Sequence, residues 1–85
     1  MTVECSVRVE GTAGLHTRPA AAFAARAAGF RSAIAVHKGE MTADAKSPLL
    51  LLTLGVRQGD RIVISADGPD AEAAVEALAR LAAAP

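Results

Sequence analysis

Residues 2–9 alternate: Val3, Cys5, Val7 and Val9 fall on one face, and Glu4, Ser6 and Arg8 on the other. Period two predicts a strand with one wet face. Over residues 17–28 the period lengthens. Ala20, Phe23, Ala24 and Ala27 follow helical spacing, with Arg26 on the outer side and Gly29 where a left-handed C-terminal glycine belongs. Residues 32–37 return to alternation, with Ile34 and Val36 inward, and HKGE at 37–40 predicts a hairpin turn in which Gly39 takes the positive φ. A short strand around residues 40–43 completes the hairpin. Ser47 then suits a helix N-cap and Pro48 the first helical position, with Gly55 ending the segment. After a turn at 57–60, residues 61–66 predict a strand with Ile62, Ile64 and Ala66 on one face. Asp70 is placed to cap a last helix whose stripe is Ala71, Ala74, Val75, Leu78 and Leu81.

The element order is β-α-β-β-α-β-α. Single helices interleaved with strands, and one hairpin, predict an α+β fold: a mostly antiparallel sheet with helices on one face. The 85 residues predict one small domain, 1–85, in which nearly every element must contribute to the core. Apolar residues make up 52% of the chain, which excludes a disordered segment. With two Phe and no Trp or Tyr, that core is aliphatic. Nine basic and nine acidic residues balance, so nucleic acid is not an expected partner. The single Cys5 allows no internal disulfide and fits a reducing compartment. No signal peptide or spanning apolar run is present, so a cytoplasmic protein without membrane insertion is expected.

The chemistry concentrates in Gly14–Ala21, GLHTRPAA. His16 precedes the first helix, where backbone N–H groups lack intrahelical partners and the macrodipole adds partial positive charge. Such a start is an anion site. Pro19 removes one donor but stiffens the first turn, leaving the amides of Thr17 and Arg18, and the Arg18 guanidinium can grip phosphate oxygens in pairs. An imidazole nitrogen near neutral pH is a good nucleophile. A phosphoryl group it attacked would land among these donors. A histidine at a helix start is also an ordinary cap or surface residue, and the turn alone does not decide between the two.

Together with AKSPLLLLTLGV, the turn resembles the HPr family, the histidine-containing phosphocarriers of the bacterial phosphoenolpyruvate-dependent sugar phosphotransferase system. The resemblance runs from the first strand to the last helix. It implies an open-faced β-sandwich, a four-stranded antiparallel sheet with three helices on one face. It implies that His16 accepts phosphate on Nδ1 from enzyme I and donates it to sugar-specific enzyme IIA components, that Arg18 is the active-site arginine, and that the chain is a carrier rather than an enzyme; a monomer is expected. Ser47 falls on the serine that, in many Gram-positive relatives, HPr kinase/phosphorylase modifies to control carbon use through a transcriptional regulator. Here Pro48 stands where relatives usually carry an apolar residue with an N–H, and the local reading of Ser47 is a cap. The alternative function is an HPr-like regulatory module, nitrogen-related or in carbon-catabolite control, whose binding depends on phosphorylation state.

The run PLLLLTL cannot bury every leucine in two turns. Leu51 and Leu54 suit the core, with Val56 nearby, while Pro48, Leu49 and Leu52 fall on another side as an apolar patch that predicts protein docking. Arg18, Lys46 and Arg57 are expected to ring it. His16, His37 and Cys5 lack metal-ligand spacing, so neither metal nor cofactor is expected. A hydrolase using His16 as base is disfavoured, since no nucleophile or orienting carboxylate lies beside it in the sequence.

Overall fold

A computed structural model describes residues 2–85. The elements are β1 (Thr2–Arg8), α1 (Thr17–Ala28), β2 (Ala33–Lys38), β3 (Met41–Asp44), α2 (Pro48–Thr53), β4 (Arg61–Asp67) and α3 (Ala71–Ala83). The strands form one four-stranded sheet in the order β1-β4-β2-β3, and every neighbouring pair is antiparallel. The expected α+β open-faced sandwich is therefore present. Inward residues of β2, β3 and β4, among them Ile34, Val36, Ala43, Ile62 and Ile64, meet Phe23, Leu51 and Leu78 from the helices in one core, aliphatic but for Phe23 among its fully buried side chains. The opposite sheet face carries Glu4, Ser6 and Arg8 into solvent, as alternation requires.

Four local expectations shift. The hairpin loop is Gly39–Glu40, so His37 and Lys38 belong to β2 and the returning strand starts at Met41. Lys38 pairs with Met41, and Gly39 alone takes a positive φ, of 59°, the pattern of a II′ turn. Gly29 ends α1 right-handed, at φ −74°, because its N–H and that of Phe30 bond back three residues, tightening the last turn rather than reversing it.

Asp70 occupies the N-cap position of α3 but makes no side-chain cap bond. Its carboxylate accepts instead from the Arg31 N–H at 2.8 Å, the Ser32 N–H at 2.9 Å and the Ser32 hydroxyl at 2.6 Å, tying α3 to the entry of β2. Leu81 does not belong to the buried stripe of α3. Ala82 takes the inward position, and Leu81, 40% exposed, forms the lip of an apolar crevice.

Candidate functional site

The site begins at a glycine. Gly14 has φ +58° and lies so close to the Val56 carbonyl and the Arg57 Cα that no side chain fits there. Both constraints select glycine. The close approach is locked by the Leu15 N–H, which donates to the Val56 carbonyl at 3.1 Å. Leu15 itself is buried, anchoring the turn in the core. The next residue, His16, is thereby presented to solvent on a fixed support.

His16 is the N-cap of α1, in extended conformation at φ −78° and ψ −164°, and its side chain makes no cap bond. Its backbone carbonyl accepts the first intrahelical bond, from the Ala20 N–H at 2.8 Å. The amides of Thr17 and Arg18 precede that bond, and Pro19 has none to offer. No acidic residue stands in the first turn. The helix start therefore keeps its positive potential, with no carboxylate to neutralise it. Among the described residues the Arg18 guanidinium makes no ion pair, and His16, Thr17 and Arg18 are all exposed. The Thr17 hydroxyl lies 3.4 Å from His16 Nδ1, a long contact by the hydroxyl where the sequence points to the amide.

Among the described residues no deep pocket encloses His16. A crevice of about 230 Å³ is lined by Gly14, Leu15 and Pro19 of the same turn and by Phe23 of α1, and a shallow groove of about 690 Å³ lies at the other end of the sheet, between Thr2, Arg31 and Lys46. The imidazole stands on an open surface.

Ser47 caps α2 as expected: its hydroxyl accepts from the Leu50 N–H at 3.2 Å, and Pro48 takes the first turn. Leu51, Leu54 and Val56 are buried, while Leu49 is 72% and Leu52 36% exposed, alongside an exposed Pro48. Leu50, 45% exposed, joins them. Helical spacing does not single out Leu50, and this six-residue helix buries only Leu51, leaving the position before it in solvent. The C-terminal end of α2 runs through Gly55 into Val56, so this leucine surface and the His16 turn share one support.

Lys46 does not ring that surface with Arg18. Its ammonium donates to the Phe30 carbonyl at 2.9 Å, beyond the far end of α1. A helix of twelve residues separates the two by about 18 Å along its axis.

The family model for the PTS HPr component phosphorylation site matches residues 3–84. The chain belongs to the HPr family. It is a phosphocarrier of the phosphotransferase system. The phosphocarrier protein HPr of Haemophilus influenzae is 48% identical over 75 residues, covering 88% of each chain. The crystal structure of HPr from Bacillus anthracis superposes with a TM-score of 0.93 at 38% identity, covering 95% of this chain and 96% of that one. HPr-like sequence also recurs inside longer proteins: the phosphoryl donor subunit of a phosphoenolpyruvate-dependent dihydroxyacetone kinase from Providencia stuartii is 43% identical over 74 residues, which is 16% of its length.

Proposed function

We propose that His16 is the phosphoacceptor of this HPr domain, residues 1–85, taking the phosphoryl group from enzyme I and giving it to enzyme IIA components. The observation that carries the reading is the open start of α1: an exposed nucleophilic ring at the N-cap, with two amides and a guanidinium that have no partner among the described residues. An imidazole lone pair forms the new N–P bond while the donor's bond to phosphorus breaks. The Thr17 and Arg18 amides and the Arg18 side chain then meet the negative charge on the equatorial oxygens. Nδ1, the nitrogen facing the Thr17 hydroxyl, is the one the family resemblance assigns.

An exposed nucleophile with few donors suits a carrier rather than an enzyme. Partner proteins supply the rest of each transfer site, and the group leaves again because little holds it. Pro48, Leu49 and Leu52 form the docking surface, with Leu50 added. Contacts of modest area would suit the transient encounter a carrier needs. A cytoplasmic carrier is part of this reading; among the described residues no helix is long and apolar enough to cross a membrane.

Incubation with enzyme I, phosphoenolpyruvate and Mg²⁺ should give an acid-labile, base-stable phosphate label that His16→Ala abolishes. A label surviving in His16→Ala would move the site elsewhere. Ser47 is an N-cap first. A regulatory phosphoserine there would add charge at the start of α2, where it is locally tolerated, and would act on docking rather than on the fold. An ATP-dependent, acid-stable label lost in Ser47→Ala would support that second role, and its absence with active HPr kinases would leave the cap alone.

A further inference from the structure

The support under His16 is itself held from outside the site. Lys38 closes β2, and its ammonium lies 3.0 Å from the Gly55 carbonyl oxygen and 3.1 Å from Asp60 Oδ2. The same Asp60 oxygen accepts the Arg57 N–H at 2.9 Å, and the Asp60 N–H returns to the Arg57 carbonyl at 3.0 Å. Both ends of the segment Gly55–Arg57 are therefore tied to one ion pair. Gly55, at φ +61°, has wide backbone freedom, and the lysine fixes its peptide plane. Within this segment sits Val56, whose carbonyl holds the Leu15 N–H, and against it Gly14 makes its close approach. His16 is the next residue.

We infer that Lys38 and Asp60 are positioning residues for His16, fixing the segment Gly55–Arg57 on which the Gly14–Leu15 turn is seated. Neither side chain belongs to the helix start, and both are about one-third exposed, at 31% and 30%. An ion pair so exposed contributes little to global stability. Its effect falls on the aim of the imidazole, where displacement on the order of 1 Å is enough to slow a transfer step. The activity consequence rests on His16 being the phosphoacceptor, whereas the structural consequence does not.

The test uses Lys38→Met and Asp60→Asn, with Asp70→Asn, at the other end of α1, as the control. Leu15 amide exchange and the His16 ring signals are read by NMR, and phosphoryl uptake from enzyme I is read at saturating donor. In the first two variants Leu15 should exchange about tenfold faster while Cys5 and Ile64 in the sheet keep their protection. Uptake at saturation should fall about tenfold. Asp70→Asn should leave Leu15 exchange and uptake at wild-type values although it lowers the melting temperature, which a merely structural role for Lys38 would not separate. Wild-type Leu15 exchange and unchanged His16 signals in both Lys38→Met and Asp60→Asn would overturn the inference. If Lys38→Met loses protection throughout the sheet, Lys38→Arg decides: protection retained in the sheet and at Leu15 supports the charge-held support, and protection lost throughout the sheet again contradicts a role confined to that support. A wild type that takes no label on His16 defeats the proposed function instead, and the exchange and ring signals still report on the support.

Discussion

The two ends of α1 treat polar groups in opposite ways. Beyond its C-terminal end the backbone groups of residues 30–32 find side-chain partners. Asp70 collects two backbone N–H groups and a hydroxyl from Arg31 and Ser32, Lys46 reaches the Phe30 carbonyl, and Arg26 lies over the Phe30 ring at 5.3 Å. At its N-terminal end the donors stand open, with neither a side-chain cap nor an acid in the first turn. The other two helices do not share this: α2 starts under Ser47, and α3 has Asp70 at its N-cap and Glu72 in its first turn. A satisfied end stabilises the fold, whereas an open end keeps hydrogen-bonding capacity and positive potential for an arriving anion. With His16 as the proposed phosphoacceptor, function falls where the fold leaves donors open and stability where it engages them.

The largest way to break this contrast is at the open end. Arg18→Met should slow phosphoryl uptake about a hundredfold, as expected when a charged donor to the transferring group is lost, without changing the thermal melt. A rate within twofold of wild type would remove Arg18 from the site. Gly14→Ala comes next. Its Cβ would press on Val56 and Arg57 at a positive φ, so urea unfolding should report a loss of about 2–3 kcal/mol and faster Leu15 exchange.

The closed end gives a pH signature. The Ser32 hydroxyl, followed by the Arg31 amide, holds the Asp70 carboxyl down at about 2, below its ordinary 3.8. A folded-state value below the unfolded one means the contribution is fully present above 3.8 and is lost as pH falls through about 2. The melting temperature should therefore drop over that window, and Asp70→Asn should start lower and drop less. Asp60 is shifted in the same direction by the Arg57 amide and then Lys38, so a residual slope in Asp70→Asn is expected and should shrink further in the double variant with Asp60→Asn. The smallest effect is at α2: Ser47→Ala removes a cap bond and should cost about 1 kcal/mol in urea unfolding, leaving His16 labelling intact.

Local patterns carried most of the fold because each is written within a few residues. The β1 alternation, the Ser47-Pro48 helix start and the His16 turn are contiguous, and the structure keeps them. What the sequence could not display were partners far apart in the chain. Asp70 reads as a cap, and it serves instead residues 38 and 39 positions away, because the fold brings the entry of β2 to its carboxylate. Lys46 reads as part of a ring around the leucines until the Phe30 carbonyl claims its ammonium. Leu81 and Ala82 both lie within helical reach of Leu78, and only packing selects the smaller residue for the core. The Lys38–Gly55–Asp60 contacts join the end of β2 to the loop before β4, so no window of sequence contains them.

The most direct test of the open helix start is the amide spectrum of the chain before and after phosphorylation by enzyme I and phosphoenolpyruvate. The account predicts large downfield shifts of the Thr17 and Arg18 amide protons as they bond the phosphoryl oxygens, with the Arg31 and Ser32 amides, already committed to Asp70, unmoved. A phosphorylated His16 that leaves the Thr17 and Arg18 amides at their original positions would contradict it.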